Sequence, residues 1–134
     1  MKKLLLILLC LPMIGLGQTP NEYLSKAEQN ISNGEFEDAI YNCTRALRKD
    51  PNYAKAYNKR GIVYDRLGDY EYAIDDYTRA IRIDPDYAEA YYNRGLAKEG
   101  TDLSYCSDYK KCCDLGYEGC CSSYNGQSGQ TPCE

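Results

Sequence analysis

Between residues 54 and 83 the chain carries two stripes of small and aromatic side chains at helical spacing. Tyr57, Gly61 and Tyr64 fall at i, i+4 and i+7, one face of a helix. Gly68 follows where that helix should stop, and a residue free to take positive φ suits a helix end. Ala73, Tyr77, Ala80 and Ile81 mark a second helix from about Tyr70 to Ile83. Asp84-Pro85 ends it, because proline cannot donate to the ladder and biases the preceding residue away from helical geometry. Gly61, Ala73 and Ala80 are small where two helix axes come close, and the tyrosines fill the space beside them. Such a unit is an antiparallel helix pair whose core stays incomplete until neighbours stack on it.

The pattern returns every 34 residues. Gly34 and Gly68, Ala39 and Ala73, Ala46 and Ala80, Pro51 and Pro85, Tyr53 and Tyr87, and Gly61 and Gly95 all keep this step. That period marks a stacked array, with repeats at 20–53, 54–87 and 88–116. The third repeat departs from the pattern. Matching Asp108-Tyr109 to Asp76-Tyr77 requires a two-residue deletion in the turn and aligns Gly100 with Gly68. Cys106, Cys112 and Cys113 then replace Ile74, Ala80 and Ile81.

These residues resemble the tetratricopeptide repeat. The matching positions are tyrosine at the fourth, glycine at the eighth, tyrosine at the eleventh and alanine at the twentieth. Tyrosine at the twenty-fourth, alanine at the twenty-seventh and proline at the thirty-second complete the match. The resemblance implies an all-α fold, a right-handed superhelical stack of about three helical hairpins. It also implies a non-enzymatic module without cofactor that binds a protein or peptide along a concave groove. The second, fifth, ninth and twelfth positions of each first helix would face that groove. Here these are Asn21, Leu24, Glu28 and Ile31, then Lys55, Asn58, Ile62 and Asp65, then Glu89, Tyr92, Leu96 and Glu99. Chaperone-binding members grip a C-terminal carboxylate with basic and asparagine side chains. The aligned residues here are Leu24, Glu28, Lys59, Glu89 and Asn93, so that clamp is not expected.

Charge and composition narrow the partners. Lys2 and Lys3, an apolar run from Leu4 to Leu11 and the small residues Gly15 and Gly17 form a secretory signal, cleaved after Gly17. A retained anchor would need a longer apolar run, and acylation at Cys10 would want a small residue where Leu9 stands. Losing Lys2 and Lys3 takes the net charge from −4 to −6. So acidic a chain, with no basic block, suits neither nucleic acid nor anionic lipid. A secreted or periplasmic setting of bacterial type follows, without membrane insertion after cleavage. The chain has no histidine, hence no imidazole base and no Ser/Cys-His pair, and no catalytic residues are expected. Asp75, Asp76, Asp84 and Asp86 read as solvent-facing or helix-end carboxylates.

Cysteine adds a cap. Cys43 aligns with core Tyr77 and reads as a buried free thiol. Cys106, Cys112, Cys113, Cys120, Cys121 and Cys133 crowd the C-terminal end, which in an exported chain reads as a disulfide cluster. The adjacent pairs fit no zinc-ligand spacing, and no Cys-x-x-Cys motif is present, so neither metal nor redox chemistry is expected. Residues 117–134 become a capping helix, from about Tyr117 to Tyr124, and a tail. One arrangement faces Cys113 with Cys120 across the Leu115-Gly116 turn and brings Cys133 back to Cys106; the spacing does not choose among the connectivities available.

Overall fold

A computed structural model of the chain describes residues 17–99 and 105–124. Within them run seven α-helices: α1 (Pro20–Asn33), α2 (Phe36–Lys49), α3 (Ala54–Leu67), α4 (Tyr70–Ile83), α5 (Ala88–Glu99), α6 (Cys106–Asp114) and α7 (Glu118–Tyr124). α1, α3 and α5 each pair with the helix that follows as a hairpin, and the hairpins stack through α2 on α3 and α4 on α5. α7 folds back on α6. The helix expected from Tyr70 to Ile83 has those bounds, and the capping helix starts one residue later than expected, at Glu118. The aligned position Gly100 lies outside the described residues.

Local chemistry sets the boundaries. Thr19 opens α1 with a reciprocal cap: its hydroxyl accepts from the Glu22 N–H at 3.2 Å, and its own N–H donates to the Glu22 carboxylate at 3.1 Å. Gly34 and Gly68 close α1 and α3 at φ 77° and 82°, where a side chain would be strained. The interior is a file of fully buried alanines, Ala39, Ala46, Ala56, Ala73, Ala80, Ala90 and Ala97, with Tyr77 and Tyr109 between them. The rings need glycine opposite. A Cβ on Gly61 would stand 2.7 Å from Tyr77 Cε1, and one on Gly95 would stand 2.6 Å from Tyr109 Cε1. This recurrence supports matching Asp108-Tyr109 to Asp76-Tyr77. Cys43 is fully buried and free, and burial pushes its thiol up to about 12.

Each junction between hairpins carries a polar key. Arg60 donates through Nε and Nη2 to both oxygens of Asp76, at 2.7 and 2.8 Å, and through Nη1 to Thr44 Oγ1 of the preceding hairpin at 3.1 Å. Arg94 repeats this with Asp108, at 3.0 and 2.6 Å, and with Thr78 at 3.0 Å. Asp108 also pairs with Lys98 at 2.8 Å. The expectation that Asp76 faces solvent is therefore corrected. It is 2% exposed, because the α3–α4 interface encloses it and the bidentate guanidinium satisfies its charge. On the free edge of the first hairpin, Glu22, Lys26 and Gln29 are exposed where the second has Ala56, Arg60 and Val63.

The C-terminal end is stapled. Gly116, at φ 84°, reverses the chain after α6. Disulfides then join Cys112 to Cys120 and Cys113 to Cys121, with Cα separations of 5.7 and 4.8 Å. The arrangement of Cys113 opposite Cys120 is corrected. Cys112 stands at the inward position equivalent to Ala80, so it meets the buried Cys120 beneath α7. That leaves Cys113 and Cys121 to meet at the rim. Cys106 is disulfide-bonded too, and Cys133 lies outside the described residues.

Candidate functional site

The first helices of the hairpins, α1, α3 and α5, carry all the residues expected to line a groove. Two of these belong to the core instead. Leu24 is 2% exposed and packs in a cluster with Cys43, Leu47 and Ala56. Asn58 is fully buried, its amide donating to the Tyr87 hydroxyl and accepting from Asn93 Nδ2, both at 3.1 Å. The fifth position of α1 and of α3 sits at the junction with the next unit, which removes it from the surface. Tyr92 shows the same tendency in α5: its ring lies 5.5 Å from that of Tyr117 in the turn before α7 and 6.0 Å from that of Tyr109.

The remaining positions stay accessible and are mostly paired. Glu28 holds Lys55 at 3.1 Å, and Lys59 holds Glu89 at 3.8 Å, so two charge pairs bridge successive first helices. Asn21 accepts from the Tyr53 hydroxyl at 2.6 Å. Glu99 accepts from the buried Tyr109 hydroxyl. Burial pushes the Asp65 carboxyl above its ordinary value, only partly offset by Arg66. Ile31 and Ile62 are half-buried, and Leu96 is exposed.

An open cleft of about 260 Å³ lies between α1 and α3, lined by Glu28, Ile31, Ser32, Lys59, Ile62 and Arg66. Three of the six, Glu28, Ile31 and Ile62, were expected. Ser32, Lys59 and Arg66 were not assigned to the lining. The signal for two of them was available, since Lys59 and Arg66 stand three before and four after Ile62, on the same helix face. The two isoleucines supply an apolar floor, and the charged side chains form its rim. Among the described residues no helix is long and apolar enough to cross a membrane.

A stack of hairpins with a 34-residue period, and glycine against tyrosine at the α3–α4 and α5–α6 crossings, is matched in sequence by two family profiles. One, described as Tetratricopeptide repeat, covers residues 54–87; the other, described as TPR repeat, covers residues 30–68. Residues 30–87 carry the tetratricopeptide-repeat pattern. Solved structures agree on the fold. The first TPR of Spaghetti (RPAP3), bound to the HSP90 peptide SRMEEVD, superposes with a TM-score of 0.76 at 21% identity, over 82% of this chain and 93% of that one. Its second TPR, bound to the same peptide, gives 0.70 at 27%, over 73% and 93%. The MamA protein gives 0.68 at 28%, over 87% of this chain and 61% of its own. No curated protein sequence matches the chain. The cysteine staple replaces core positions of the third repeat, and the family profiles do not reach it.

Proposed function

We propose that this chain is a non-enzymatic adaptor that holds a peptide or a segment of a partner protein in its concave groove, in an extracytoplasmic compartment. The observation that carries the reading is the cleft between α1 and α3: an apolar floor with a charged rim, mounted on rigid helices. Related folds with bound HSP90 peptides support a groove that takes extended chain. The disulfides at Cys112–Cys120 and Cys113–Cys121 support an oxidising compartment, and the charged and apolar pattern of residues 1–17 supports export. Residues 1–16 lie outside the described ones.

The test is affinity capture with cross-linking of the oxidised protein from envelope and secreted fractions, beside an Ile31→Ala, Ile62→Ala double variant of unchanged circular dichroism. A partner held by the parent and lost by the variant supports the adaptor. Equal retention favours a second reading, a structural subunit docked through its outer surface. That reading draws on Leu67, Tyr70 and Tyr72, exposed together around the α3–α4 turn at 43%, 39% and 65%.

A further inference from the structure

We infer that the cleft between α1 and α3 selects an extended segment in which an aliphatic side chain neighbours an internal acidic one, with the free chain end playing no part. This rests on the groove reading above. Its volume, about 260 Å³, falls below the roughly 300–1,000 Å³ of sites that enclose whole small molecules. An open cleft of that size takes one or two side chains of a longer ligand. Ile31 and Ile62 define what seats at the bottom, an aliphatic group.

Charge defines its neighbour. Glu28 and Lys59 line the rim, but each already has a counter-ion, Lys55 and Glu89 respectively. Arg66 makes no ion pair among the described residues and is exposed, one turn beyond Ile62. Asp65, the acid beside it in sequence, forms no ion pair with it. A carboxylate arriving at Arg66 gains a planar two-pronged donor without displacing an internal partner. The Glu28–Lys55 and Lys59–Glu89 pairs cancel, so Arg66 is the positive charge left over at the rim, on a chain of net charge −4. An acidic segment is therefore repelled by most of the surface and attracted here, which favours specificity over tight nonspecific adhesion. Glu28 and Glu89 stand beside Lys59, so an incoming carboxylate is directed to Arg66 and away from Lys59.

The test is selection of a displayed random peptide library on the full oxidised chain and on Arg66→Glu, followed by anisotropy titration of the enriched peptides, synthesised with amidated C-termini. Wild type should enrich Asp or Glu within two positions of Leu, Ile or Val. Replacing that acid by its amide should weaken binding about tenfold, as loss of one charged hydrogen bond implies. Arg66→Glu should move the preference to Lys or Arg. Arg66 is exposed, and an acid in its place meets only Asp65 and the C-terminal dipole of α3, so the variant's thermal melt should fall by no more than a few degrees. Enrichment indifferent to charge, or unchanged in Arg66→Glu, overturns this inference while leaving the groove reading standing. Binding tenfold tighter for the same peptides made with a free C-terminal carboxylate does the same in favour of end recognition. No enrichment at all in wild type removes the groove reading along with it.

Discussion

Adding one methyl group at Gly61 probes the crossing that holds the second hairpin together. An ideal Cβ there would lie 2.7, 2.9 and 3.1 Å from Cε1, Cδ1 and Cζ of Tyr77. Carbon atoms settle at about 3.5–4.0 Å, so the ring would have to retreat by roughly 0.8 Å. Tyr77 is 1% exposed, and its neighbours Ala73 and Ala97 are fully buried, so it moves only by displacing close-packed atoms. Overpacking of this kind costs about 1–3 kcal/mol, and three opposed ring atoms put it in the upper half. Alanine in place of glycine within a helix returns about 1 kcal/mol. Gly61→Ala should thus lose about 1–2 kcal/mol net. In a Tyr77→Leu background the ring is gone, the propensity gain remains, and the same change should stabilise by about 0.5–1 kcal/mol. Urea unfolding of the four chains, followed by far-ultraviolet circular dichroism with disulfides intact, measures both effects. Stabilisation by Gly61→Ala in the wild-type background would refute the reasoning, as would an equal cost with and without the ring.

Other consequences are open to simpler measurements. Asp76→Ala strands a part-buried Arg60 and should cost about 3 kcal/mol, whereas Thr44→Val, which removes a neutral acceptor, should cost about 1; similar values for both would deny the ion pair its role. Folding holds Cys43 and Tyr87 neutral, burial pushing each up to about 12 from ordinary values of 9.0 and 10.0. The unfolded chain loses those protons first, so their contribution is intact below pH 9 and declines as pH rises toward 12. Chemical denaturation across that range should show the decline, and Cys43 should resist alkylation at pH 8 until urea unfolds the chain. Removing the Cys112–Cys120 loop by double serine substitution should cost about 2–3 kcal/mol. Hydrogen exchange should then accelerate in α6 and α7 and leave α1 to α4 unchanged; a uniform increase would contradict a local staple.

The periodic features were legible because they obey one arithmetic. Glycine, alanine and tyrosine at a fixed step give the bounds of α4 and the pairing of helices into stacked hairpins. The charged positions were not legible in that way. Asp75 and Asp76 are adjacent and identical, yet one pairs with Arg79 at the surface and the other is sealed against Arg60. Only the α3–α4 crossing distinguishes them. Leu24 and Asn58 misled for a related reason: a helix face alone does not say how far the next unit will slide over it. Arg66 falls outside the four groove positions of each first helix, whereas the cleft takes six residues from two helices. The disulfide pattern depended on the reach of the Gly116 turn, which spacing leaves undetermined.

The polar key at the junctions carries a consequence for how such a chain could lengthen. Every internal junction asks for threonine on the departing unit and arginine with aspartate on the arriving one, and residues 54–87 supply all three as Thr78, Arg60 and Asp76. A tandem duplication of that segment would meet itself with a ready-made interface on both sides. The outer units have no such property, since one presents Lys26 in the arginine position and the other Lys110 in the threonine position. The middle unit is thus a self-compatible tile between two unlike terminal pieces, and length could be inherited by copying without any new surface having to evolve.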